Sequence, residues 1–544
     1  MKSIRFTMIQ AMLMLLSVSI GHAHDIKAGG MYAFTTVAAA SSTAAHAPKL
    51  ILEVTDKATG KPVAARFSVA VDGHPYEPPE LGTGGLKFES IHERKQQRFV
   101  ACYTRGEKPV EVLLPLGARH ISVYVTKGFE YLPIKLTSDI HGSETRLSAP
   151  LERWSNIREY GWYGTDEHVH YDRLEPAGDT RWLTMMDGDD LTCAHFMTLK
   201  GGMRDGLWAL QYAFGKEGQS TDGERLIVPG EEYRDTAQGH INLLGLTELI
   251  EPISTGGMGT PKVRENYPPF IDVLRETRRF GGMGGVAHGA KLGLHPTAIM
   301  DAVLGAVDFW EISNGFIYQT DLWYKLMNCG YILPPAAGTD LPNDPERDPW
   351  QPFLGSVRTY VRTGVNNDFE TWKNVMKRGE VFITGGPLIQ MKVNNVGPGG
   401  TIHLPAGGGE VMVEAELTSP RQLQSLEIMF NGKEIRAEPL SAIKGRVHTL
   451  TIKEKVHVTK SGWFAAAGKG SRIEAQQIDA LAHTGAIRVL VGNQPIKSSS
   501  DASALIEILD EQKHYYSTEG RFQQPEHRER MLDLYDQAIK ELRK

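Results

Sequence analysis

Two histidines separated by a single residue, His168-Val169-His170, form the pattern in this chain that points most directly to chemistry. In an extended strand, residues two apart project to the same side, so both imidazoles can address one metal ion. Such a pair also occurs often as solvated or hydrogen-bonded histidines, so it needs companions. They follow at places where the chain should leave a buried strand. Arg225 to Val228 runs into Pro229-Gly230-Glu231-Glu232, Gly239-His240 precedes the apolar run Ile241 to Leu246, Gly285-Val286-Ala287 ends in His288, and Pro334 to Gly338 leads into Thr339-Asp340. Either Glu231 or Glu232 can serve, and His295, which precedes Pro296, competes with His288. Mixed imidazole and carboxylate donors suit zinc, manganese or iron better than calcium or magnesium. No serine or cysteine stands in a Gly-x-Ser-x-Gly setting, so a nucleophile would have to be a water activated by metal. Arg358, after the turn Gly355-Ser356, is the candidate for stabilising developing negative charge, with a structural ion pair as its bland alternative. Asp166 and Glu311 are candidates for orienting ligand imidazoles.

These residues need a scaffold. Between about Leu151 and Pro387, short continuous apolar runs alternate with helical stretches, including helices expected over Pro268 to Arg279 and Asp368 to Lys377. That alternation predicts a parallel β/α architecture whose strands are buried on both faces and whose ligands cluster at the strands' C-terminal edge. On either side the pattern changes to alternation at period two. Leu50 to Val54, Arg66 to Val71, Val110 to Leu114 and His120 to Val125 predict a β-sandwich over residues 48–150, and Glu410 to Leu417 and Gln424 to Phe430 predict a second over 388–497. Asn431-Gly432 marks a tight hairpin in the latter. The segment 498–544 reads as a helical tail: Asp501 is placed to cap one helix, and Met531, Tyr535, Ala538, Ile539 and Leu542 recur at helical spacing, a stripe expected to pack on the protein itself.

Taken in order, the His-x-His, Pro-Gly-x-Glu, Gly-His, Ala-His and Gly-Thr-Asp elements resemble the polymerase-and-histidinol-phosphatase (PHP) superfamily of metal-dependent hydrolases. More narrowly, Gly161 to His170, Pro229 to Leu244, Asn328-Cys329-Gly330, Ala337 to Asp340, Gly355 to Tyr360 and Thr384 to Pro387 are similar to the carbaryl-hydrolase-like CehA/McbA metallohydrolases. The resemblance covers about Leu151 to Pro387, and it implies a PHP-like distorted β/α barrel over 151–387. It also implies two divalent metal ions, one held by His168, His170, Glu232 and Asp340, the other by His240 and His288, with Glu232 bridging. The implied activity is cleavage of an ester-like bond (carbamate, carboxylic ester, amide or phosphoester) in a small-molecule substrate. The third ion of many PHP proteins lacks its pattern here: one expected ligand position is Pro342, and the stretch Asp189 to His195 offers only a displaced histidine.

Composition bounds the rest. A chain of 544 residues exceeds one core, and its net charge of -6 without a basic, aromatic-interleaved cluster argues against a nucleic-acid partner. Lys2 and Arg5, the apolar stretch Met8 to Ile20 and Gly21-His22-Ala23 read as a signal peptide over 1–23, followed by an Ala/Ser/Thr-rich linker over 24–47. Export to the periplasm or the medium is therefore expected, and no run is long enough for a transmembrane helix. Three widely spaced cysteines define no disulfide framework. A reading from another class is a non-catalytic binding module, in which the flanking sheets grip a polymer or cell-surface component and a degenerate barrel only joins them.

Overall fold

A computed structural model describes residues 47–92, 97–200, 206–235, 237–253, 265–290, 297–314, 317–342, 353–364, 368–439, 446–471 and 480–544. The expected signal peptide, almost all of the expected linker, and His295 lie outside the described residues. Among the described residues the fold is mixed α/β, with strand outweighing helix at 43% against 22%. That excess follows from the period-two alternation of the two flanking regions.

The first region places its apolar alternates between two sheets. One has the order Val110–Leu113, Lys49–Asp56, Glu144–Leu151; the other runs Gly85–His92, Gln97–Arg105, Ala64–Val71, His120–Thr126, Ile134–Asp139. Leu50, Leu52 and Val54 from one sheet meet Phe67, Val69 and Val123 from the other in a single buried cluster. All four expected strands of this region are present, each extended by one to three residues or trimmed at an end.

The middle region is built on a sheet whose path returns to its beginning. Tyr163–Val169 pairs in parallel with Cys193–Lys200, and that strand pairs in parallel with Leu226–Asp235. Two antiparallel steps follow, to Gly239–Leu244 and then Met283–Val286. Parallel pairing resumes with Phe309–Asn314 and Pro335–Gly338. Just past that last strand, Leu341 bridges Val169 in parallel, and the Asp340 backbone nitrogen donates to the His168 carbonyl at 2.7 Å, which closes the path. The expectation of a parallel β/α architecture is corrected at Gly239–Leu244: only three residues separate it from Leu226–Asp235, too few for a crossover, so the two pair antiparallel. The expected helices appear as Phe270–Arg279 and Phe369–Arg378; Asp368 caps the latter by accepting from the Thr371 nitrogen at 2.9 Å.

In the third region Leu388–Val393, Gly409–Ser419 and His448–Val458 form one sheet, and its apolar residues share a core with Leu426, Ile428, Phe464 and Val489 of the other. The Asn431-Gly432 turn is a two-residue hairpin with both residues at positive φ (52° and 73°) and Phe430 opposite Lys433. Hydrogen bonding crosses the expected boundary near residue 387, because Val381–Thr384 pairs with Leu481–Thr484. The tail consists of helices Ser499–Thr518 and Pro525–Leu542. The first is capped by Ser498 rather than Asp501: Ser498 Oγ accepts from the Asp501 nitrogen and donates to its carboxylate at 2.7 Å. Met531, Tyr535, Ala538, Ile539 and Leu542 are buried, with their helix packed on Ser499–Thr518 and Ala298–Val303, so the apolar stripe covers the protein's own surface.

Candidate metal centre

The six expected ligands, spread along the sequence from His168 to Asp340, converge. His168 and His170 face inward from the end of their strand, and each has its Nδ1 held: His168 by Glu311 Oε1 at 2.9 Å, His170 by the Met197 carbonyl at 2.9 Å. With Nδ1 held this way, Nε2 of each ring points inward, and in the neutral imidazole it carries the lone pair. His170 Nε2 lies 3.2 Å from Glu232 Oε2 and 3.3 Å from Asp340 Oδ1, and His168 Nε2 lies 3.8 and 3.4 Å from the same two atoms. On the other side, His240 Nδ1 stands 3.0 Å and His288 Nε2 3.6 Å from Glu232 Oε1, with His288 Nε2 also 3.6 Å from Asp340 Oδ2. The Glu232 carboxylate thus has one oxygen toward each pair of histidines.

Local backbone rules explain this arrangement. Leu226–Asp235 alternates its side chains, so Glu232 and Glu231 point to opposite faces; Glu231 accepts from the Ile250 nitrogen at 2.8 Å, and burial pushes its carboxyl up to about 8. Glu232, and not Glu231, therefore stands among the histidines. His240 does not end a parallel strand as expected. It begins the antiparallel return strand, whose start lies at the edge where the parallel strands finish, opposite Arg234 in the hairpin register. His288 and Asp340 both sit just past strand ends at φ +55°, a conformation rare for residues with side chains that turns each donor back toward the cluster. Gly338 has no side chain because a Cβ there would collide with His168 Cβ and come 2.7 Å from its nitrogen.

Electrostatics set the centre apart from its surroundings. Burial alone would raise the Glu232 carboxyl, but the Arg234 guanidinium and the surrounding histidines overcome it and hold the group well below the usual range. Asp340, whose side chain stays 18% exposed, is likewise held low, chiefly by His168 with His170 and His288. Burial works against protonation of His168, yet Glu311 and Asp340 raise it well above an ordinary histidine. His288 goes the other way, pushed down by burial to about 3.

The donor set could hold a metal ion. His168 Nε2, His170 Nε2 and Glu232 Oε1 are buried without a well-aligned hydrogen bond, an expensive condition for three polar atoms unless something else satisfies them. The donors of His168, His170 and Asp340 lie within 4.8 Å of one another, as do those of His168, Glu232 and His288, so the cluster has the dimensions of a metal site.

Two expected catalytic side chains act elsewhere. Arg358 is fully buried and spends its guanidinium on backbone carbonyls: Nε donates to Gly355 at 2.6 Å, Nη1 to Asp190 at 2.9 Å and Nη2 to Asp189 at 3.0 Å, with Phe129 stacked 4.4 Å away. These contacts tie the first region to the middle one and leave the cation no reach into the cluster. Asp166 holds the backbone of His168, whose nitrogen it accepts from at 3.2 Å, rather than an imidazole ring. It accepts from the Thr339 nitrogen and hydroxyl and from the Gly355 nitrogen, at 2.9, 2.7 and 2.8 Å, and so fixes the loop that carries Asp340. Imidazole orientation falls to Glu311, whose second oxygen accepts from the His288 nitrogen at 2.6 Å. His195 packs its ring against Trp372, centroids 4.6 Å apart, and belongs to the core. Arg234, which sequence reasoning passed over, donates through Nε at 2.9 Å and through Nη2 to Glu232 Oε2; its signal was the i, i+2 spacing from Glu232, the same spacing that singled out His168 and His170.

No protein-family model, curated protein or solved structure matches the chain. Among the described residues, no helix is long and apolar enough to cross a membrane.

Proposed function

We propose that this chain is an exported, metal-dependent hydrolase of the PHP type, related to the CehA/McbA metallohydrolases, that cleaves an ester-like bond in a small-molecule substrate. The observation that carries the reading is the convergence of four imidazoles and two carboxylates on one buried cluster, with three of their atoms lacking aligned hydrogen bonds. The closed strand path with donors at one edge supports a distorted β/α barrel for 151–387, and the paired sheets on either side support β-sandwiches for 48–150 and 388–497. The tail packing over 498–544 completes that organisation.

In this reading His168, His170 and Asp340 hold one zinc, manganese or iron ion, His240 and His288 hold a second, and Glu232 serves both. Ions in these positions would acidify a water toward neutrality and polarise the substrate's oxygen. The protein's own contribution is positional. Glu311 and the Met197 carbonyl fix which nitrogen of His168 and His170 faces inward, Asp166 anchors the Asp340 loop, and Trp208, 5.6 Å from the His170 ring, walls one side. The test combines metal analysis of the purified full chain with a panel of chromogenic carbamates, carboxylic esters, amides and phosphoesters. About two ions per chain and chelator-sensitive turnover of one class are expected; absence of stoichiometric metal would leave the binding-module alternative in its place.

A further inference from the structure

The two oxygens of Glu232 are not equivalent. Oε1, facing His240 and His288, is buried and has no aligned hydrogen bond. Oε2, facing His168, His170 and Asp340, receives both Nε–H and Nη2–H of Arg234. A carboxylate oxygen offers two lone-pair directions, so the guanidinium occupies both acceptor sites of Oε2. It also supplies the positive charge that a buried carboxylate requires. A cation coordinated through Oε2 needs one of those lone pairs and brings its own charge beside the guanidinium.

We infer that Arg234 is a resident cation that competes with metal, so that the two positions load in order: the His240/His288 side first, through Oε1, and the His168/His170/Asp340 side second, after Arg234 gives up Oε2. This inference rests on the metal-centre reading above. Arg234 has somewhere to go, since its side chain is 10% exposed at the rim of the cluster while Glu232 is fully enclosed. The geometry assigns it a role in metal affinity and loading order, distinct from that of any ligand.

The test is a titration of the chelator-stripped full chain with zinc, followed by calorimetry and by competition with a chromogenic chelator. Wild type is expected to bind two ions in separated steps. Arg234→Met, which keeps volume and removes both donors, should tighten the weaker step about tenfold or more, the worth of a charge-assisted hydrogen bond, and leave the tighter step within about threefold. His240→Ala should abolish the tighter step and His170→Ala the weaker one. Arg234→Lys retains a counter-charge for Glu232 without the two-pronged fork; it should give an intermediate weak step, and it serves if the Met variant does not fold. Two ions bound by wild type with the weaker step unchanged in both variants would overturn the inference and leave the metal centre standing. No zinc binding by wild type would overturn both.

Discussion

Glu311 Oε1 lies 2.9 Å from His168 Nδ1, and the same carboxylate takes the His288 backbone nitrogen on its other oxygen at 2.6 Å. One side chain thereby sets the ring orientation of a donor on one side of the cluster and the backbone position of a donor on the other. In Glu311→Ala both constraints vanish while the six donors remain. Metal affinity should fall about 10- to 100-fold, the usual cost of losing a partner that orients a ligand. Chelator competition on the folded variant checks this, and unchanged affinity would show that the contact is incidental. Glu311→Gln still accepts from Nδ1–H without the charge and should fall between the two.

Glu232→Ala should lose both ions, because its two oxygens face different histidine pairs. It also removes the carboxylate that accepts both Arg234 donors, and breaking a buried ion pair from one side costs about 3–5 kcal/mol of stability. Metal content and thermal midpoint measured together separate the two effects: His240→Ala should weaken chiefly one ion at a smaller stability cost. A Glu232 variant that keeps two ions would mean that the carboxylate is not shared.

How much of this centre was legible depends on how local each signal is. His168 and His170 declare themselves through the two-residue strand period, and Glu232 follows from the same rule once Leu226–Asp235 is known to be a strand. The flanking sheets are legible for the same reason, since one face of each strand is apolar. The antiparallel course of Gly239–Leu244 was missed because an apolar run does not reveal strand direction; only the short turn before it does. Arg358 misled because a buried arginine near a site has the same sequence appearance whether it faces substrate or three carbonyls. The Asn328-Cys329-Gly330 motif has a structural explanation in part: Asn328 accepts from Trp463 Nε1 at 2.8 Å and donates to Asp501 at 3.0 Å, joining helix Asp321–Asn328 to the third region and the tail. Contacts across more than a hundred residues leave no local trace in one sequence.

Arg358→Met tests the structural assignment of that cation. Three carbonyls would lose charge-assisted donors inside the protein, so the variant should be destabilised by about 3 kcal/mol or more, seen as a lowered thermal midpoint. Metal content per folded chain and substrate KM should stay near wild type at temperatures where the variant is folded. A large drop in kcat with an unchanged midpoint would return Arg358 to a catalytic role.

Asp301, on helix Ala298–Val303, is 1% exposed and faces Tyr516 and Tyr535 of the tail, and burial pushes its carboxyl up to about 8. The unfolded chain releases that proton near the ordinary aspartate value of about 3.9. Between those two values the native state holds a proton that the unfolded state has lost, so stability declines as pH rises from about 4 to about 8 and levels off above. Asp301→Asn keeps the shape and cannot ionise. Its thermal midpoint should exceed wild type at about pH 9, with the gap closing toward about pH 5, as calorimetry across that range would read. Parallel midpoint curves for the two proteins would mean that Asp301 titrates alike in both states and that the tail packs on a carboxylate already charged.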